Sequence, residues 1–141
     1  MISNKECWLK ENCNHVDCDK FCIRLYKLNY LYDEALLSLK QREHIVLKID
    51  KDGTDAEAFG SLKIIEDHIV DFVEQGNQLY IHSSIAGNGK SSWALRLVQT
   101  YFDKIWNSCQ LDCKALFISV PRFLLELKDN IVLELYHWEL L

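Results

Sequence analysis

Ser84-Ile85-Ala86-Gly87-Asn88-Gly89-Lys90-Ser91 decides how the rest of this chain is read. The apolar run Leu79-Tyr80-Ile81 precedes it and an amphipathic pattern over 92–106 follows, so the octet lies between an expected strand and an expected helix. In that context the glycines let successive backbone N–H groups turn toward an anion. The opening helix aims the positive end of its dipole at the same place. Gly89, Lys90 and Ser91 match the second half of the phosphate-loop pattern G-x-x-x-x-G-K-[ST], while Ser84 stands where its first Gly is expected. Gly87 restores part of the lost freedom, because Gly accepts positive φ without a steric penalty. The pattern predicts that Ser84, Ala86, Gly87, Asn88, Gly89, Lys90, Ser91 and Ser92 hold the phosphates of ATP or ADP. Lys90 neutralises the β- and γ-phosphates, and the Ser91 hydroxyl ligates Mg²⁺. The competing reading is an ordinary Gly-containing turn with an exposed lysine. Against it, a cation at a helix N-terminus is unfavourable unless an anion lies beside it.

Outward from the loop, the pattern predicts an α/β fold. Gln78–Ser83 is an expected strand, and the helix after the loop buries Ala94, Leu97, Val98, Tyr101 and Phe102. Ala115-Leu116-Phe117-Ile118-Ser119-Val120 is a second expected strand, apolar almost throughout as strands covered on both faces are. Pro121 suits the first turn of a further helix continued by Phe123, Leu124 and Leu127. Upstream, a helix is expected over 31–48 with Leu31, Ala35, Leu36 and Leu39 on one face. Another is expected over 56–74, with Phe59, Leu62, Ile65, Ile69 and Phe72 at spacings of three and four, stopped by Gly76-Asn77. The polar stretch Asp50–Asp55 is the expected linker. Three units result: a Cys-rich module over 1–49, a linker and helix over 50–77, and a partial phosphate-loop core with an atypical tail over 78–141.

The chain has 141 residues, 49% of them apolar, enough for one modest core and against disorder throughout. Lys and Arg number 16 against 21 Asp and Glu, a formal charge of -5, so any nucleic-acid contact must be local rather than a general electrostatic attraction. No run approaches the roughly 20 apolar residues that span a bilayer. Met1-Ile2-Ser3-Asn4-Lys5-Glu6 has no apolar signal core, which predicts a cytoplasmic protein without membrane contact. Thiols there are reduced, so clustered cysteines point to metal rather than disulfides.

Cys7, Cys13, Cys18 and Cys22 form such a cluster, C-x5-C-x4-C-x3-C, with His15 as a substitute ligand. Zinc favours four N/S ligands in a tetrahedron and staples segments too small to fold alone. Ordinary reduced core cysteines and an iron–sulfur cluster are the alternatives. Cys109 and Cys113 are read as structural. Trp8, Lys10, Lys20, Phe21, Arg24, Tyr26, Lys27, Tyr30 and Tyr32 interleave aromatic rings with positive charge. That surface suits stacking on single-stranded bases or gripping a partner protein, or else its rings simply cover the metal site.

The Cys-rich N-terminus, the helical connector, the GNGKS loop and Ala115-Leu116-Phe117-Ile118-Ser119-Val120-Pro121 with its Leu-rich continuation together resemble phage and prophage helicase loaders of the DnaC/DnaI type, which are AAA+ ATPases. The resemblance covers about Cys7 to Ile131. It implies an ATP-binding αβα core that touches single-stranded DNA and an N-terminal metal module that contacts the replicative DNA helicase. It gives Lys90 and Ser91 the Walker A roles and Cys7, Cys13, Cys18 and Cys22 the metal role. The family continues into an acidic Walker B strand, sensors and an arginine finger. Val132–Leu141 does not resemble that continuation, and Glu134 and Glu139 read as a solvated edge. The expectation is a truncated or frameshifted loader with weak nucleotide binding, negligible hydrolysis and a tendency to self-associate. The alternative is a non-enzymatic zinc-binding module that binds the helicase or competes with an intact loader.

Overall fold

The computed structural model describes residues 7, 9, 13, 22–47, 55–85, 87–121 and 123–128. The linker residues 50–54 and the tail 132–141 lie outside them. Five helices are built from the described residues: α1 (Ile23–Glu34), α2 (Leu39–Arg42), α3 (Ala56–Asp67), α4 (Ile69–Glu74) and α5 (Lys90–Ile105). The backbone is helical again at 120–121 and 123–128, with Pro121 in the opening turn as its fixed φ favours.

α5 organises the rest. It packs against α1, α3 and α4, and its buried Trp93, Leu97, Tyr101 and Phe102 recur at the helical period. α1 answers with Leu28, Leu31, Tyr32 and Ala35, again three and four apart and all buried. The rings of Tyr32 and Phe102 meet edge-on with centroids 5.1 Å apart. α3 contributes Leu62 and α4 contributes Ile69, while Phe59 stacks on Trp93 at 6.2 Å. Each large side chain so buried stabilises the fold by about 1.5–3 kcal/mol.

The expected α/β core is not what forms: the described residues contain no strand and no sheet. Neither expected strand forms: 78–83 and 115–119 have no regular secondary structure, and 120 is already helical. Along 111–117 burial alternates strictly: Leu111, Cys113, Ala115 and Phe117 are half-buried, and Asp112, Lys114 and Leu116 are exposed. The Phe117 N–H donates to the Ala35 carbonyl at 2.9 Å, and Cys113 Sγ donates to the Leu31 carbonyl at 3.5 Å. The segment therefore covers the end of α1 with one face, and Leu116, Ile118 and Val120 point outward. In 77–83 only Ile81 and Ser83 are even half-buried. The first segment buries too little, and the second is bonded to the end of α1 instead, so the two do not meet in a ladder.

The helix expected over 31–48 is also corrected. α1 begins at Ile23 and stops at Glu34, because Leu36 takes φ 59. The Leu36 N–H donates to the Asp33 carbonyl and the Leu37 N–H to the Tyr32 carbonyl, each at 3.0 Å. These are the two bonds of a Schellman stop, here with leucine in the left-handed position that usually takes glycine. The stop sends Leu36 and Leu39 to solvent and leaves Leu31 and Ala35 in the core. α4 ends by the same device with the expected residue: Gly76, at φ 69, donates to Val73, and Asn77 donates to Phe72.

The helix expected over 56–74 forms with a break at His68 (φ -111). Lys104 Nζ, reaching across from α5, donates to the main-chain carbonyls of Glu66, at 3.2 Å, and Asp67. Those two oxygens would otherwise accept the next rungs of the helix, and a side chain inserted into the ladder is a recognised cause of a kink. Among the described residues no helix is long and apolar enough to cross a membrane.

Candidate functional site

Gly87 and Gly89 both have positive φ, 79 and 89, and Gly89 is the N-cap of α5. A Cβ built on either meets nothing within 4 Å, so glycine is needed here for backbone conformation and not for lack of room. Gly89 has no side chain to cap the helix. The first-turn N–H groups of Lys90, Ser91 and Ser92 have no acceptor within α5, whose first rung is Trp93 N–H to Gly89 O at 2.8 Å.

Lys90 opens the helix and folds back over the loop. Its Nζ donates to the Ile85 carbonyl at 2.7 Å and to Asn88 Oδ1 at 3.0 Å. On the other side of the turn, the Ile85 N–H donates to Ser83 Oγ at 3.2 Å. The structure thus gathers Asn88, Gly89, Lys90 and Ser92, all half-buried, with exposed Ser84, Gly87 and Ser91 at one end of α5. Ala86 lies outside the described residues.

The cysteines are less concentrated. Cys22 is the N-cap of α1, its Sγ accepting the Leu25 N–H at 3.4 Å. Cys7 and Cys13 are half-buried, and Cys7 packs on the core. Cys18 and His15 lie outside the described residues. Among those described, no three His, Cys, Asp or Glu side chains gather as a metal site would require. Cys113 is tied to carbonyls, and burial pushes its thiol up. Cys109 is exposed.

Of the aromatic and basic residues, Tyr26 and Tyr30 stand on the exposed side of α1 and Tyr32 is in the core. Arg24 bonds Asp103 at 3.1 Å and lies over the Trp106 ring, which removes its charge from any open basic face. Trp8, Lys10, Lys20 and Phe21 lie outside the described residues.

A heavily bonded carboxylate lies outside the residues to which the sequence patterns point. Glu66, 4% exposed, accepts from Lys63 Nζ at 2.8 Å, Arg96 Nε at 2.6 Å and Thr100 Oγ1 at 2.8 Å. Burial alone would raise its carboxyl; these donors outweigh burial and hold it down at about 2. Beside it lies an open cavity of about 250 Å³, also lined by Asp67, Asp103 and Lys104. Arg96 continues to the Ile45 carbonyl at 2.9 Å. Buried Gln99 donates to the carbonyls of Gln41 and Glu43 at 3.0 and 2.8 Å. These bonds fasten α5 to α3, to α2 and to the chain after it. Three cations face three carboxylates here and each cation is bonded, which makes the cluster a structural clamp rather than a reaction centre. The sequence carried a signal: Glu66 falls in the stripe Phe59, Leu62, Glu66, Ile69 at helical spacing, where a charge requires a buried partner.

Comparison of the chain with protein families, with curated proteins and with solved structures gives no match.

Proposed function

We propose that this chain binds ATP or ADP with Mg²⁺ through residues 84–92 and acts as a helicase-loader-like protein in phage-type DNA replication, with slow or negligible hydrolysis. The observation that carries the nucleotide reading is the turn at Gly89: a left-handed glycine caps α5, first-turn N–H groups without an acceptor inside the helix follow it, and the Lys90 ammonium is folded over the same turn. Open space above both glycines is the room a phosphate needs. Bound Mg²⁺ would supply charge neutralisation at the β- and γ-phosphates. Ser91 offers a hydroxyl for it, Lys90 offers one charge, and the first turn of α5 offers N–H donors. Hydrolysis also requires an acid that positions metal and water. The hydrogen bonds of the Lys90 ammonium go to a carbonyl and an amide, not to a carboxylate.

The loader role, with a replicative helicase as partner and single-stranded DNA as a further contact, rests on the sequence resemblance. Exposed Tyr26 and Tyr30 on α1 support an N-terminal contact surface. Outward-facing Leu116, Ile118 and Val120 support self-association. Zinc at Cys7, Cys13, Cys18 and Cys22 belongs to the same proposal and is supported by the four-cysteine spacing alone.

Calorimetric titration of the purified chain with MgATP and MgADP tests the nucleotide site. Saturable binding that falls roughly 10- to 100-fold in Lys90→Ala is the expected result, the size of a lost charge-assisted hydrogen bond. Absence of saturable binding, or binding indifferent to Lys90→Ala, overturns the proposal. Metal analysis of the same sample reads zinc directly, and pull-down with a replicative helicase reads the partner.

A further inference from the structure

The hydrogen bonds of the loop point to a residue that the phosphate-loop pattern leaves unspecified. We infer that Asn88 is a positioning residue: it holds the Lys90 ammonium at the mouth of the loop before any anion arrives. The inference rests on the phosphate-binding reading of residues 84–92.

An ammonium has three N–H donors and no acceptor. Two of the three are committed within the loop, one to the Ile85 carbonyl at 2.7 Å and one to Asn88 Oδ1 at 3.0 Å. Those are its partners among the described residues, and the ammonium has one donor more to offer an oxygen from outside. The two tethers differ in kind. The Ile85 carbonyl is main chain and comes with any residue at that position. The Asn88 amide is a side chain that happens to be short enough to reach back across Gly89. Lysine carries four rotatable bonds and loses more rotamer freedom than most residues when fixed. A lysine already fixed by its own loop does not incur that loss again when the phosphate binds, which is the general benefit of preorganisation. The arrangement also answers the electrostatic difficulty of a cation at a helix N-terminus. Two oxygens stabilise the charge while the site is free, and a phosphate takes over much of that task.

Asn88→Ala removes the side-chain tether and leaves the carbonyl one. Asn88→Asp keeps the tether, strengthens it with a charge, and places a carboxylate where a phosphate must approach. The two variants therefore separate holding the lysine from admitting the anion.

The test has two readouts on the full chain. The first needs no nucleotide: the acylation rate of Lys90 by a water-soluble amine-reactive ester, followed by peptide mass spectrometry with the other lysines as internal standards. Lys90 is expected to react about fivefold faster in Asn88→Ala and more slowly in Asn88→Asp, the scale of one lost or strengthened hydrogen bond. The second is MgADP titration, where both variants are expected to bind about fivefold or more weakly and Asn88→Gln to recover part of the affinity. An unchanged Lys90 acylation rate in Asn88→Ala overturns the inference, whether or not the wild-type chain binds nucleotide. Faster acylation in Asn88→Ala with no loss of MgADP affinity overturns it as well, since the tether then does nothing for the anion. A wild-type chain that binds no nucleotide overturns the phosphate reading and, with it, the role of Asn88 toward phosphate; the acylation rates then report only on a locked turn.

Discussion

Arg96 Nε lies 2.6 Å from Glu66 Oε1, and through that pair α5 is bonded to the C-terminal end of α3. The Glu66 side chain is almost fully buried and that of Arg96 about a quarter exposed, so breaking the pair leaves a charge with little water to compensate it. Arg96→Met is expected to destabilise the fold by about 3 kcal/mol, and Glu66→Gln by a similar amount. Combined, they should cost less than the sum, because the double variant leaves neither charge behind. Urea unfolding of the three variants measures this, and additive losses would show that the two side chains are not coupled.

The donors to Glu66, Lys63 and Arg96 foremost, also make its contribution to stability depend on pH. The Glu66 carboxyl is lowered from 4.5 to about 2 in the folded chain, so between those values the unfolded chain binds the extra proton. Stability contributed by this group is complete above about pH 4.5 and is lost as pH falls toward 2. Urea midpoints measured across that window should fall for the wild type and be flatter for Glu66→Gln.

Leu36 occupies the left-handed position of the α1 stop, at φ 59. A Cβ there costs roughly 1–2 kcal/mol, part of which glycine returns as unfolded-state entropy. Leu36→Gly is expected to stabilise the chain by about 1 kcal/mol, while Gly76→Ala, at the equivalent position after α4, should destabilise it by about the same amount. Thermal unfolding distinguishes the signs, and a destabilised Leu36→Gly would mean that the exposed leucine holds something in place.

Lys104 ends α3 by binding its last carbonyls. Lys104→Met should lower global stability by about 1.5 kcal/mol. It also frees the Glu66 and Asp67 oxygens, so the amides of Val70 and Asp71, four residues on, should gain protection in hydrogen exchange relative to their neighbours. Unchanged protection there would mean that the break at His68 has another cause.

Gly89→Ala adds a Cβ that has open space but a strained backbone, since φ is 89. A loss of about 1 kcal/mol of stability is expected, with a loss of anion affinity as the turn relaxes toward negative φ. Unimpaired MgADP binding by this variant would detach the left-handed turn from the phosphate site.

These results show what the sequence could and could not disclose. α5 was legible because its apolar residues keep the helical period over four turns, and the end of α4 because Gly76 is the residue such a stop favours. The end of α1 was not, because leucine at Leu36 carries no turn signature; the stop shows only in the Leu36 and Leu37 N–H bonds back to the Asp33 and Tyr32 carbonyls. The sheet failed for a different reason. Residues 115–120 are apolar as read, but an apolar run does not say what pairs with it, and here Phe117 bonds the end of α1 while Leu116, Ile118 and Val120 stay exposed. The loop's glycines were legible as a turn, whereas the tether from Asn88 to Lys90 depends on side-chain reach that spacing alone does not give.

α5 has one further consequence, for how the chain tolerates change. Of its residues only Ser91, Asp103 and Lys104 are exposed. Asp103 is engaged by Arg24, and Lys104 by the end of α3. Ser91 is the one exposed side chain of α5 without a partner among the described residues. In a saturating substitution scan read out by folding, α5 should form an intolerant band from Trp93 to Ile105, with Ser91 free to vary. The same scan read out by nucleotide binding should turn Ser91 intolerant, so the difference between two maps at a single position separates what the helix does for the fold from what its first turn does for a ligand.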